Sequence, residues 1–579
     1  MELPTTTSEL SPLMQKLTSE KKVAREFSER RHLDWNENYE LYRNKVKTNR
    51  LTQRQAVNIP LMKETIKTLL SKIDDPPLIT FKEKGGDRYK ELVLQEKWDT
   101  DFERLNVEGI DVQDKKTVLL YGRGWKKLNF VEKQFDINAL DIFDVVVDPL
   151  VNPLDIETAR FLVHQNIFRS LRDILADKRY TTEGKQELKT YLTTSGVVVQ
   201  SAENKQELEK KLERMNAMGQ DKNDFDTFGA GDTIVNLSEH YTLLWNTTKQ
   251  KFERYVCTYA DNKVLLLKEK LTNLLGVDFL PFVSWGEDIE TQDIWSDGPG
   301  DLVRTPNKVL NVWFSQKIEN RTLQNFQMYW YDATAQGFIP QTYEPGPGRM
   351  LPAPGEPSKT IMPVQISGLE DTITMIEFVI KLVESGTAAT AIEKGVSEKK
   401  QITLGEVEML VGKATERTIS MAKFYRRAWK ELARKWYAIL DANTSKGSKE
   451  TLYKVSSKGK VWPKVVYGKD WKSEKGYRID VASSSEQESE KTKGIQRWMF
   501  IQSQFPENPA VAKIAQRRIL EIGDITPEEM REVEEFEKKK LEQPVAQSPI
   551  QPQPIGEQPM RPEELQTRLN ELKNLSATI

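Results

Sequence analysis

A chain of 579 residues is too long for one hydrophobic core, so two to four structural regions are expected. Lys plus Arg (85) nearly balances Asp plus Glu (87), and the formal net charge of -2 excludes a surface that grips nucleic acid over its whole extent. The single cysteine, Cys257, excludes an intrachain disulfide framework and points to a reducing compartment. "MELPTTTSEL" has neither the basic nor the apolar region of a signal peptide, and no apolar run reaches membrane-spanning length. The expectation is a soluble protein made and used in a cytoplasm.

The start reads as helical, because Phe27, Trp35, Tyr39, Tyr42 and Val46 fall at helix-face spacings among charged residues. A second helix is expected over residues 61–73 and stops at Pro76-Pro77, and "LITF" follows as a strand. Residues 88–120 read as one helix ending at "YGRG". "KKLNFV", "FDVVVDP" and "ARFLVHQNIF" read as strands, residues 170–191 as a helix, and residues 201–232 as a polar segment of low order. "EHYTLLWN", "KFERYVCTYA" and "KVLLLKEK" then form a meander of three strands.

After the break at Gly298-Pro299-Gly300 a long helix is expected over about 301–328, with Leu302, Val309, Trp313, Leu323 and Phe326 among its apolar positions. A Pro/Gly-rich insert over 329–368 carries one short strand, "TIMPVQI", and a second helix covers 369–384. The small, mildly basic stretch "SGTAATAIEKGVSEKKQ" leads to a third, very long helix over 403–440. Its face reads Val407, Val411, Ala414, Thr418, Ala422, Tyr425, Trp429, Leu432, Trp436, Leu440, all at steps of three or four, the strongest periodic signal in the chain. Strands follow at "TLYKVSS", "KVVYG" and "GYRIDVAS", then helical "EQESEKTKGIQRWMFIQSQF" and "NPAVAKIAQRRILEIG". The Pro/Gln-rich end is expected to be disordered.

Most catalytic chemistry finds no footing. A phosphate-gripping loop needs G-x-x-x-x-G-K-[ST] after a strand, and "SGTAATAIEKGVSEKKQ" has the wrong glycine spacing and follows a helix. "GRG" at Gly122 lacks the third glycine of a dinucleotide fingerprint and reads as a tight hairpin turn. His32, His164 and His240 are far apart in sequence, without a second ligand at zinc spacing. Glu287, Asp288, Glu290, Asp293, Asp297 and Asp301 could hold magnesium for nuclease chemistry, or could be a solvated loop whose last members sit favourably at a helix N-terminus. Lys394, Lys399 and Lys400, with Arg304, Lys308, Lys317 and Arg321, are either solvated faces or weak phosphate contacts suited to a partner that slides.

The order of parts is more specific than any motif. "WNENYELYRNKV", "VNIPLMKETIKTLLSKIDDPPLITF", "YGRGWKKLNF", "FDVVVDPLVNPLDIETARFLVH", "DIWSDGPGDLVRTPNKVLNVWFSQKIENRTL" and "ITLGEVEMLVGKATERTISMAKFYRRAWKELARKWY" occur in this order over about 23–505. Together they resemble the portal, or head–tail connector, proteins of tailed bacteriophages. The resemblance implies an α+β fold, a mixed α/β wing with long stem and hub helices, assembled as a dodecameric ring around a channel for double-stranded DNA. By position it implies a wing over 1–290, stem helix 1 over 291–328 and a clip over 329–368. Stem helix 2 would then cover 369–384, the tunnel loop 385–402, the hub helix and wing strands 403–482, crown helices 483–540 and a tail 541–579.

It further implies Gly386, Lys394, Gly395, Lys399 and Lys400 as tunnel-loop residues touching DNA, and Arg304, Lys308, Lys317 and Arg321 as stem residues. Tyr343, Gly346, Gly348 and Arg349 would serve the clip, which meets the terminase large subunit and later the head–tail adaptor proteins. Major capsid and scaffolding proteins are the other implied partners, with no membrane, cofactor, metal or catalytic residue. The place of action would be the capsid portal vertex of the virion, after assembly in the host cytoplasm. Helices this apolar cannot bury their faces in a lone two-helix pair, and a ring of neighbours would supply the missing surface. Two other readings stay open: a different virion structural protein, such as a head–tail adaptor or minor capsid protein, and a metal-dependent nucleic-acid enzyme built on Asp288, Asp293 and Asp297.

Overall fold

The computed structural model describes residues 11–44, 57–73, 77–131, 134–194, 234–247, 249–325, 329–331, 356, 361–363, 372–387, 404–455, 461–482, 484–504, 515 and 519. The polar segment 201–232, nearly all of the insert 329–368, residues 388–402 and the tail lie outside these. The chain divides into two units, 1–486 and 487–579.

The helical start is α1 (Pro12–Tyr42), which carries Phe27, Trp35, Tyr39 and Tyr42, whereas Val46 lies outside the described residues. Its start signal is local: the Ser11 side chain accepts from the Met14 N–H, and Pro12 occupies a first-turn position where a missing N–H costs nothing. Next come α2 (Leu61–Lys72) and β1 (Leu78–Glu83). The single helix expected over 88–120 is two, α3 (Arg88–Arg104) and α4 (Val107–Tyr121). They break at Asn106, whose φ of 49° is the left-handed conformation that asparagine tolerates better than most residues.

The "GRG" stretch is a correction. No hairpin lies there: α4 runs directly into β2 (Arg123–Val131). Gly122 is the helix C-cap, with φ 86° and its N–H donating to the Val118 carbonyl. A Cβ at Gly122 would lie 1.9 Å from the Ser296 carbonyl oxygen, so glycine is required for conformation and for space.

β3 (Gln134–Leu140), β2 and β9 (Phe282–Gly286) form an antiparallel three-stranded sheet in the order β3-β2-β9. A five-stranded antiparallel sheet runs in sequence order through β4 (Val145–Val147), β5 (Phe161–Ser170), β6 (Ile234–Asn246), β7 (Lys251–Ala260) and β8 (Val264–Lys270). Its last three strands are the meander read from the sequence. The helix expected over 170–191 is split into α5 (Leu171–Ala176) and α6 (Thr182–Thr194). Asp177 sits in the break and pairs with Arg169 (2.9 Å) and Arg179 (2.7 Å).

A short α7 (Leu271–Leu275) precedes β9, and the long helix α8 (Pro299–Asn325) follows it. β10 (Tyr329–Tyr331) and β11 (Ile361–Pro363) pair antiparallel, tying the two ends of the insert together. Then come α9 (Thr372–Thr387) and α10 (Leu404–Asn443), which at 40 residues is about 60 Å long. β12 (Lys449–Val455) and β13 (Val461–Tyr467) form a hairpin. β14 (Tyr477–Ala482) pairs with β1 across nearly four hundred residues, from Leu78↔Ala482 to Glu83↔Tyr477. The last described helix is α11 (Ser484–Gln504).

The largest core is organised by α10. Of the face read from the sequence, Ala422, Tyr425, Trp429, Leu432, Trp436 and Leu440 are all buried. Trp436 packs edge-on to Trp98 and beside Phe81 and Phe135, so α10 fastens α3, β1 and β3 together. Polar groups are buried here too. Asp111 accepts from Tyr425 Oη (2.6 Å) and Trp429 Nε1 (3.1 Å) and pairs with Lys115 (2.8 Å). Asp114 accepts from Trp285 Nε1 (2.7 Å) and pairs with Lys126. Two carboxylates thus face two ammoniums, which lowers the cost of burying each.

Candidate functional site

The candidate site is built on α8 and α9, which pack together on either side of the insert. α8 is anchored by side chains of α1 and by backbone N–H groups at the start of α2. On one side its charges interlock with α1: Arg31 reaches Asp297 and Asp301 (3.1 Å to the latter), Arg304 reaches Asp34 (3.1 Å), and Lys308 reaches Glu37. Asn38 donates to both Asp301 and the Leu120 carbonyl, tying α1, α4 and the start of α8 into one corner.

On a second side α8 caps another helix. α2 begins after Pro60 and has no side-chain cap of its own. Asn307 Oδ1 accepts from the Met62 N–H (3.0 Å), Asn311 Oδ1 from the Ile59 N–H (2.8 Å), and Ser315 Oγ from the Val57 N–H (3.1 Å). These three residues at i, i+4 and i+8 satisfy backbone donors that would otherwise be orphaned. Pro306 stands inside α8 and removes the N–H that would have met the Leu302 carbonyl.

The sequence-derived residues fall into distinct groups. Arg304 and Lys308 are committed to acidic residues of α1. Lys317 is partly buried and Arg321 exposed on the outer half of α8. Gly386 lies inside α9 at its C-terminal end, where a Cβ would meet nothing within 4 Å. Lys394, Gly395, Lys399, Lys400, Tyr343, Gly346, Gly348 and Arg349 lie outside the described residues.

The acidic cluster does not converge. Asp297 and Asp301 face the Arg31 guanidinium, and Asp293 caps the Trp295 N–H (2.8 Å). Glu287 stands apart: burial, with the neighbouring Asp288 charge, raises its carboxyl to about 7. Among the described residues no three His, Cys, Asp or Glu side chains are grouped to hold a metal. The histidines are also dispersed: His32 packs tilted against Trp35 and edge-on to Phe143, His164 lies by Lys127, and buried His240 meets Glu20 (3.0 Å). Burial pushes the Cys257 thiol up to about 12, so it is inert.

The structure also shows an exposed apolar face that the sequence analysis did not single out. On α9, Ile376, Val379, Ile380 and Val383 turn toward the core. Met375, Phe378 and Leu382, at steps of three and four on an adjacent face, are 52%, 67% and 57% exposed. Leu302, Val312 and Phe314 of α8 are exposed as well. The available signal was that "TITMIEFVIKLV" is apolar around more of its circumference than one buried face requires.

A sequence model of the phage SU10 portal protein family matches residues 33–574. The chain belongs to that family. No curated protein matches it. Among solved structures, it is similar to a chain of the neck of an empty GTA particle computed with C6 symmetry, at 12% identity and a TM-score of 0.30, over 66% of this chain and 76% of that one. The portal family is a structural one, and α8, the insert and α9 fall wholly inside the matched residues. No described helix of this portal-family chain is long and apolar enough to cross a membrane.

Proposed function

We propose that the protein forms the ring at one capsid vertex of a tailed phage through which double-stranded DNA is packaged and later ejected. In this reading twelve copies close the ring, and α8 and α9 line its narrow stem. The insert at 329–368 docks the terminase motor and then the head–tail adaptors, and residues 385–402 contact the passing DNA. The protein is a conduit without catalysis of its own, and ATP hydrolysis belongs to the motor. It also meets major capsid and scaffolding proteins, is assembled in the host cytoplasm and ends in the virion.

The observation that carries the ring is the exposed apolar face of Met375, Phe378 and Leu382 beside an already buried face on the same helix. A monomer rarely leaves contiguous apolar surface on a helix, and a repeated heterologous contact between neighbours covers it and closes a ring. A net charge of -2 also suits a passage that DNA must slide through without being trapped. Electron-microscope images of the purified protein test this directly. Rings with an open axial channel are expected, and a monodisperse monomer at all concentrations would sink the reading. A head–tail adaptor or minor capsid protein would show no closed ring with an open bore. A nuclease built on Asp288, Asp293 and Asp297 would cleave DNA with magnesium and lose that activity on Asp→Asn substitution.

A further inference from the structure

Where the two loops that flank the β1–β14 ladder meet the start of α3, the surface holds a polar cleft of about 430 Å³. None of its lining residues belongs to α8 or α9. Lys90, Lys446, Lys469, Lys472 and Lys475 line it, brought together from three separate stretches of the chain. Three carboxylates, Glu83, Asp87 and Glu474, share the lining, which leaves a surplus of two positive charges in a chain that is negative overall.

The carboxylates are already used. Asp87 caps α3 through the Lys90 N–H (3.3 Å) and pairs with the Lys90 ammonium (3.7 Å). Glu83 accepts from Ser473 Oγ and from the Asp87 N–H. Glu474 pairs with Lys446 (3.3 Å), and Lys472 is held by Asp441 outside the cleft (3.4 Å). Lys469 leans on the Tyr467 ring at 5.5 Å, and no ion pair fixes the Lys475 ammonium among the described residues. The cleft therefore presents ammoniums of which Lys90 and Lys446 pair with acids in its own lining and Lys472 with Asp441 outside it, beside the positive end of a 17-residue helix. Its volume is in the range of small-ligand sites.

We propose that this cleft binds phosphate groups, carried either by a free polyphosphate or by a DNA backbone. Lysines act as point charges on phosphate, and compact converging ammoniums suit several closely spaced anionic oxygens. The inference is independent of ring formation, because every residue in it belongs to one chain.

The full-length protein would be titrated calorimetrically with inorganic triphosphate, with a short DNA duplex and with a polyglutamate peptide, each at low and moderate salt. Charge reversal at two exposed lysines, Lys469→Glu with Lys475→Glu, should weaken binding about tenfold or more and flatten its salt dependence. Glu474→Gln should tighten it. Loss confined to triphosphate assigns a free ligand, and loss confined to the duplex assigns the DNA backbone. Wild-type protein that binds neither, a double variant that binds both as wild type does, or an effect on polyglutamate alone overturns the proposal. Ring images of the same variants separate this outcome from failure of the portal reading.

Discussion

The Lys435 ammonium lies 2.6 Å from Glu157 Oε1 with no solvent exposure of the lysine side chain. It also donates to the carbonyl oxygens of Leu280 (2.8 Å) and Phe282 (2.6 Å) and pairs with Glu431 (3.2 Å). One cation on α10 thus joins the 3-10 turn that precedes β5 to the start of β9. Lys435→Met should destabilise the chain by about 3 kcal/mol or more, because it leaves two buried carbonyls without their donor and Glu157 Oε1 without its ammonium partner. Urea denaturation followed by circular dichroism reads this, and a loss below about 1 kcal/mol would contradict it.

Gly122→Ala should cost about 3 kcal/mol or abolish soluble expression, since the new methyl meets both a left-handed φ and the Ser296 carbonyl at 1.9 Å. Gly386→Ala is the control. With open space around it and a helical setting, it should be neutral or stabilising by up to about 1 kcal/mol. Equal melting shifts for the two variants would refute the assignment of roles.

Phe378→Asp combined with Leu382→Asp should leave chain stability within about 0.5 kcal/mol, because both side chains already face solvent in the single chain. Particle mass should nevertheless fall from ring to monomer in mass photometry. Intact rings would show that this face is not the assembly contact.

Stability should fall as pH rises from about 4.5 to about 7, by about 3 kcal/mol from Glu287 alone. Burial, and then Asp288, raise the folded carboxyl above its unfolded value, so the native state holds the extra proton across that window. The penalty is absent below pH 4.5 and complete above 7. Glu287→Gln should remove this slope in denaturation curves measured across the window, and an unchanged slope would place its origin elsewhere.

Deleting residues 387–400 should spare ring assembly and impair DNA packaging or retention in a packaging assay. Failure to assemble would remove the tunnel-loop role. Disruption at Gly346 to Gly348 should likewise weaken motor or adaptor docking before it affects ring formation, as a pull-down against each partner would report.

Local chemistry was legible where it acts over a few residues. The period of Tyr425, Trp429, Leu432 and Trp436 specified the buried face of α10, and alternation specified the β6–β8 meander. The order of helices around the Pro/Gly-rich insert carried the family. The break at Asn106, which divides α3 from α4 through a left-handed φ, was not visible, and the helix end read at "YGRG" proved to be a C-cap leading into β2 rather than a hairpin turn. Nor could sequence distance reveal that β1 pairs with β14, or that Asn307 and Asn311 cap a helix some 245 residues away. Most of all, charge on a helix does not announce its partner. Arg304 and Lys308 read as possible phosphate contacts, and tertiary packing gave them to Asp34 and Glu37. Periodicity and turn chemistry are set by neighbours in the chain, so the sequence alone determined the elements. Ion pairing, tertiary capping and the choice of which apolar face stays uncovered depend on what folding brings close, and only the tertiary structure decided them.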